Sequence, residues 1–418
     1  MKGIARVWER HSTFDNDSNY FWLVDSLCLI SEQRPPLTKR FGIRILWTIL
    51  SLLHTFQYFC YVLQLIRFIR QTPLDMERIT AMTNLVVPLG VAILRGLCLA
   101  YHRDAVLKLK QYVNSKSCQR DDNAGAFELR RQMSRKVNRY LVAFECVTTL
   151  NSCIWALTSG LHEDIFKIPF PMDGLPDVLK QAVDLGFAVL LIPWCFTIWH
   201  STTLFVPMLS IMHTELAIIV GQFDGLFEKV VANYALEPND LDRVSTIQRS
   251  RFWAELDMTF KTAISHHSAF ISNLQLLRNI SSLNFFIFLC SSALVITFNI
   301  FPSITYPSLE HLPLLLLALQ YITEAYLCCT MFDNLENENN RIANHVYVID
   351  WLYSVGKSSK LDQAHCKSIL QNALILNRQI NAGLAIQAGG IFPLKLMTFT
   401  QMIKSVYSLL TMMVQSVD

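Results

Sequence analysis

Seven windows of about 20 residues, the length a bilayer requires, are apolar enough to cross one: roughly 42–66, 79–101, 139–161, 185–212, 277–301, 312–331 and 392–416. Nothing else constrains this chain as strongly. In hydrocarbon every backbone N–H and C=O must find its partner within its own segment or in a closed barrel, so runs of this length fold as helices. Composition agrees, with 52% of residues hydrophobic and only 17% charged, against about a quarter charged in an ordinary soluble domain. The expected fold is all-α, a polytopic membrane protein with seven transmembrane helices. A net charge of +3 gives no case for nucleic acid, and no Gly-rich phosphate loop, HExxH or zinc-type CxxC pair occurs. Neither a metal nor a cofactor is expected, and no nucleophile–base pair or histidine cluster points to an enzyme.

Basic residues orient the spans. Lys2, Arg6, Arg10, Arg34, Lys39 and Arg40 precede the first. Nine Lys and Arg, from Arg103 to Lys136, lie between the second and third, whereas on the alternate side the first connection has Arg67, Arg70 and Arg78 and the third only Lys167 and Lys180. The fourth-to-fifth and sixth-to-seventh connections are basic again, and the fifth connection and the end of the chain have no Lys or Arg. Positive charge stays in the cytosol, so the amino terminus is expected inside and the carboxyl terminus outside. None of the 11 cysteines falls in an expected outer connection, so no extracellular disulfide is available. The first 40 residues lack the apolar run of a signal peptide, and 20–30 reads as an interfacial helix.

Spans four and five are about 60 residues apart, as are six and seven. After the fourth span, Leu216, Ile219, Val220, Phe223, Leu226, Phe227, Val230 and Val231 recur at helical spacing. "RFWAELDMTFKTAISHHSAFISNLQLLRNI" continues a helix into span five, "FDNLENENNRIANHVYVIDWLY" extends span six, and "AHCKSILQNALILNRQI" is a further amphipathic helix. The chain therefore divides into a cytosolic segment (1–41), spans one to four (42–215), a cytosolic extension (216–276), spans five and six (277–332), a second extension (333–390) and the last helix (391–418).

That last helix carries Gln401, Lys404, Ser405, Ser408, Thr411 and Gln415 at steps of three or four, on one stripe. Ile403, Val406, Leu410, Met413, Val414 and Val417 cover the rest. A polar stripe facing lipid is costly, so it serves either a seam between helices or a water-filled path. One stripe encloses no hole, so a path requires several subunits around an axis. Asp418, the terminal carboxylate and the helix carboxyl end would make the outer mouth negative and favour cations.

The layout resembles the insect odorant receptor family, seven-span ligand-gated cation channel subunits that pair with a shared co-receptor, Orco. The resemblance covers the whole chain and is sharpest in "AGGIFPLKLMTFTQMIKSVYSLLTMM", "AISHHSAFISNLQLL" and "PFP". It implies a heterotetramer with Orco meeting at the last helix, a cytosolic anchor, and a small volatile ligand bound in the outer half of each bundle. It also implies a multi-pass protein of the cell membrane, in the dendrites of olfactory sensory neurons, in contact with membrane lipid. Within the resemblance, Gln415 matches a polar pore constriction and Met412 a hydrophobic gate, while Ser416 departs from the apolar residue expected there.

For the ligand site, the outer halves of spans two, three, four and six offer Met82, Thr83, Val86, Asn151, Ile154, Trp155, Phe187, Leu191, Trp194 and Tyr321. Aromatic walls with a few hydroxyls and amides suit small apolar volatiles, and the competing reading for each is core or lipid packing. Arg95 and Glu145 fall at similar depth on neighbouring spans, where they either pair or Arg95 reaches to the inner surface. Glu324 and His200, near mid-membrane, hydrogen-bond or line a water path. The alternative function is a metabotropic seven-transmembrane receptor. The inverted topology, the missing outer disulfide and the absence of "DRY" and "NPxxY" in their places oppose it. A secondary transporter would show an internal repeat, and none is present.

Overall fold

A computed structural model describes residues 19–30, 41–71, 76–115, 124–158, 168–170, 172, 174, 176–234, 246–305, 311–347, 363–384 and 386–415. The elements in order are α1 (Trp22–Ile30), α2 (Phe41–Arg70), α3 (Met76–Tyr101), α4 (Arg103–Asn114), α5 (Ala124–Thr158), α6 (Asp177–Val189), α7 (Leu191–Phe223) and α8 (Leu226–Asn233). Then follow α9 (Thr246–Thr305), α10 (Leu312–Tyr347), α11 (Gln363–Asn381), β1 (Gln387–Ala388), β2 (Phe392–Pro393) and α12 (Leu396–Gln415). Among the described residues five helical stretches are long and apolar enough to cross a membrane: α2, α3, the α6–α7 pair, α9 and α10. The chain is a multi-pass membrane protein. The more polar α5 and α12 are not among the five, because Glu and Arg side chains dilute α5 and the polar stripe dilutes α12.

The expected extensions are helical, and they are continuous with the spans rather than joined to them. α7 runs unbroken through 215 to Phe223, and α9 spans 60 residues. At 1.5 Å per residue α9 is roughly 90 Å long, about three times a hydrocarbon core. Its one internal proline, Pro302, lies near its carboxyl end, so no ring interrupts the hydrogen-bond ladder earlier. α7 stops where Gly225 takes φ +58°, and Lys229 Nζ donates to the exposed carbonyls of Gly221 (3.0 Å) and Asp224 (2.7 Å), as a basic side chain does at a helix carboxyl end.

α7 and α9 form the centre of the fold. α7 packs against α3, α5 and α10, and α9 against α3, α10, α11 and α12. The segment expected as an interfacial helix packs on protein: Phe21 and Val24 are fully buried, and Lys110 of α4 pairs with Asp25 at 2.7 Å. Away from the cavity-bearing half, Arg130 of α5 grips Glu215 of α7 through two bonds of 2.7 and 2.8 Å. Asp257 of α9 accepts from Ser368 of α11 at 2.9 Å, and His267 of α9 meets Asn339 of α10 at 2.9 Å. α2 is different. It packs mainly on α3 and leaves Phe41, Leu46, Leu52, Phe56 and Phe59 exposed along its length, a surface stable only against lipid or another protein.

β1 and β2 form a two-residue antiparallel hairpin, pairing Ala388 with Phe392 and Gln387 with Pro393. Gly389 turns it at φ +61°, donates its N–H to Ser282 O of α9 at 2.9 Å, and leaves room only for Phe286: a Cβ there would lie 2.6 Å from that ring. The hairpin thus seats the start of α12 on α9. Asp333 of α10 then caps α12 by accepting from the Leu396 N–H at 2.7 Å, and Lys395 pairs with Glu336 at 3.0 Å.

Candidate functional site

A cavity of about 40 Å³ lies among α3, α5, α7 and α10, lined by Asn84, Leu85, Pro88, Thr148, Asn151, Ser152, Trp155, Leu191, Trp194, Ile198, Trp199, Leu317 and Gln320. It has room for about one or two waters, so any larger guest must displace side chains. Its polar groups are fixed from behind. Asn84 Nδ2 donates to Phe298 O at 3.1 Å and Asn151 Nδ2 to Pro313 O at 3.3 Å. Gln320 Nε2 donates to Thr148 Oγ1 at 3.1 Å, whose own hydrogen goes to Phe144 O at 2.7 Å. Gln57 of α2 accepts from Trp194 Nε1 at 3.0 Å and donates to Phe187 O and Tyr61 Oη, which holds that indole as a fixed wall.

Of the ten residues expected from sequence, Asn151, Trp155, Leu191 and Trp194 line this cavity. Met82, Val86 and Phe187 are buried in the apolar cluster beside it, with Cys60, Tyr61 and Leu89. Thr83 spends its hydroxyl on Ile79 O at 2.7 Å, and Ile154 is half-buried without reaching the cavity. Tyr321 lies one layer deeper, its ring edge-on to Trp199 with centroids 5.1 Å apart. Asn84, Thr148, Trp199 and Gln320 also line it and are not among those ten. A signal for the two amides existed, since an amide within an apolar span demands a partner.

The charged residues at depth do not pair as expected. Arg95 neither meets Glu145 nor reaches the inner surface. It is 2% exposed and forms a two-pronged salt bridge with Glu324, which is fully buried, at 2.5 and 3.3 Å. Its Nε donates to Asn284 Oδ1 at 3.0 Å, Asn284 Nδ2 returns a bond to Arg95 O at 3.2 Å, and the guanidinium sits 4.7 Å from the Phe288 ring centroid. In a low-dielectric interior a planar cation persists only when its donors are used in this way. Glu145 is buried, with both carboxyl oxygens lacking a hydrogen-bond partner. His200 is hydrogen-bonded, to Thr197 O at 2.6 Å and Ser201 at 3.3 Å.

From the cavity a continuous run of rings reaches this cluster. Trp199 touches Tyr321, and Tyr321 stacks on Phe288 at 5.8 Å, the ring beneath Arg95. α9 and α10, which carry Phe288 and Tyr321, are also the helices that hold α12. Tyr326 of α10 meets Phe399 at 5.6 Å, and Phe286 of α9 stacks on Phe392 at 6.3 Å.

On α12, Thr398, Met402 and Val406 are the buried face. Gln401, Lys404, Ser405, Ser408 and Gln415 are exposed together with Tyr407 and Met412, and Thr411 is half-buried. The hydroxyls of Ser405, Ser408 and Thr411 donate to Gln401 O, Lys404 O and Tyr407 O of their own helix. Hydrocarbon can therefore tolerate the hydroxyls. It cannot tolerate Gln401, Lys404 and Gln415, which leave amides and an ammonium on the open face. Ser416 and Asp418 lie outside the described residues.

The sequence model of the family described as 7tm Odorant receptor matches residues 78–407. Among the solved structures that share the fold are two of the insect olfactory receptor OR5 from Machilis hrabei. One, in complex with eugenol, has a TM-score of 0.72 and 11% identity; the other has a TM-score of 0.70 and 11% identity. Each comparison covers 96% of this chain and 100% of the other. No curated protein matches by sequence.

Proposed function

We propose that this chain, which belongs to the 7tm odorant receptor family, is a subunit of an odorant-gated, non-selective cation channel of the cell membrane. In this reading it works in a heterotetramer with the co-receptor Orco. α2, α3, α5, α6–α7, α9, α10 and α12 are its seven spans, with the amino terminus in the cytosol. The inner parts of α7, α9, α10 and α11 are its anchor. The observation that carries the reading is the open polar face of α12. In a membrane protein, Gln401, Lys404 and Gln415 on an uncovered face require water or a protein neighbour, and a shared axial pore supplies both.

The small volatile is read as binding in the cavity lined by Trp155, Trp194 and Trp199. Similarity of fold to a receptor solved with eugenol supports this. A guest larger than the present 40 Å³ pushes on the lining side chains, of which Trp199 is the ring that leads inward. The push passes through Tyr321 to Phe288 and the Arg95–Glu324 pair, and so to the two helices that carry the root of α12. Outward displacement of α12 would then widen the ring at Met412, an apolar constriction of the kind that closes by dewetting, with Gln415 nearer the outer mouth.

Recording from outside-out patches of cells expressing the chain with Orco tests the reading. The expected result is an odorant-evoked cation current that survives patch excision without GTP. A response that disappears on excision supports the metabotropic alternative and overturns the channel reading.

A further inference from the structure

We propose that the cavity selects small alcohols and phenols, neutral molecules that donate a hydrogen bond, over ethers, ketones, esters and hydrocarbons of the same size. The inference rests on reading this cavity as the odorant site, and it names the chemistry of the ligand. The amide oxygens of Asn84, Asn151 and Gln320 have no hydrogen-bond partner. All three residues line the cavity and are 2, 7 and 6% exposed. Among the lining residues, these oxygens are the buried side-chain atoms left without a partner.

Their orientation is not an arbitrary choice between oxygen and nitrogen. The nitrogens of Asn84 and Asn151 face the carbonyls of Phe298 and Pro313, which can only accept. The Gln320 nitrogen faces Thr148 Oγ1, which has already given its hydrogen to Phe144 O. Reversing either asparagine would set two acceptors against each other, and reversing Gln320 would cost Thr148 its bond to Phe144 O. Three helices, α3, α5 and α10, thus each bring one unpaired acceptor into the wall of the same small space, where it is covered until a guest parts the side chains.

A buried acceptor without a donor is costly. A guest bearing an O–H relieves it, whereas one bearing only lone pairs sets acceptor against acceptor. No carboxylate lines the cavity, so a neutral donor fits and an ammonium ion does not. The three indoles offer flat apolar walls for the rest of the molecule.

The test uses the purified full-length chain in lipid nanodiscs, with tryptophan fluorescence as the readout and constitutional isomers as probes. The pairs are 4-ethylphenol with 4-methylanisole, and 1-octanol with 1-methoxyheptane. The hydroxyl isomer should bind about tenfold more tightly in each pair, the scale of one or two net hydrogen bonds. Gln320→Leu and Asn151→Leu should shrink that ratio severalfold, because the alcohol loses an acceptor and the ether loses a repulsion, whereas partitioning into lipid would leave the ratio unchanged. Equal affinity within the pairs, a ratio unchanged in both variants, or binding of neither isomer overturns the proposal. Where a variant does not fold, the wild-type ratio still decides. Currents recorded with Orco separate the two readings. Alcohol binding without current overturns the channel reading and leaves this one, and currents equally sensitive to both isomers do the reverse.

Discussion

Removing one member of the Arg95–Glu324 pair should be among the most damaging single changes available in this protein. The two side chains are 2% and 0% exposed, so Arg95→Met leaves a carboxylate, and Glu324→Leu a guanidinium, in an interior with no solvent to hold it. Breaking a buried pair in this way costs about 3–5 kcal/mol. The double variant removes both charges. What it strands is the Asn284 Oδ1 that accepted from Arg95 Nε, a penalty of about 1–3 kcal/mol. If the two singles were independent, their sum would be about 6–10 kcal/mol. The double variant should instead be no worse than either single, giving a coupling of at least about 3 kcal/mol. Unfolding of the detergent-solubilised chain measures the cycle, and surface level in cells should follow the same order. A double variant whose loss equals the sum of the singles within about 0.5 kcal/mol refutes the argument, because the charges would then act separately.

Gln415→Arg puts a fixed positive charge on the open face of α12 and should shift the reversal potential under bi-ionic conditions. Val414→Arg, on the half-buried side, should reduce assembly instead. Gln415→Arg channels that open normally with an unchanged reversal potential would show that α12 does not line the pore. Trp155→Ala should alter odorant dose–response while sparing currents evoked by a co-receptor agonist. Tyr321→Ala empties a fully buried site at a cost of about 3–5 kcal/mol and should lower the surface level, whereas Tyr321→Phe keeps the ring and should retain odorant sensitivity. Gly389→Ala combines a left-handed backbone, worth about 1–2 kcal/mol, with a clash against Phe286, so it should lower the melting temperature more than Gly390→Ala. Gly390 has φ +72° but nothing within 4 Å of its Cβ position; equal losses would mean that the hairpin does not bear on α9.

The helices were legible because length and hydropathy act locally. The run from 246 to 305 contains no breaker before Pro302, so its continuity follows from the chain alone, as does the helix at Gln363–Asn381. The partner of Arg95 was not legible. Glu324 is 229 residues away, and depth counted from the soft ends of spans matched Arg95 to Glu145 equally well. The cavity was half legible for a related reason. Aromatic residues at helical spacing identify a candidate wall, but Trp199 and Tyr321 differ only in which layer they occupy, and that depends on how α7 and α10 are rotated against each other. Asn84 and Gln320 were the better clue. The hairpin at Gln387–Pro393 gave no periodic signal at all, being two residues per strand.

α9 also determines where the chain can change length. It holds His267 against Asn339 near one end and Asn284 against Arg95 further along, with no joint between them. One residue inserted between those two contacts would rotate everything on one side by about 100° and shift it by about 1.5 Å. One contact or the other would then be lost. Four inserted residues bring the faces back to within about 40° of register but displace them by about 6 Å, so no small insertion restores both angle and height. In this chain the spacing between the two positions is therefore a fixed ruler, set by both contacts at once.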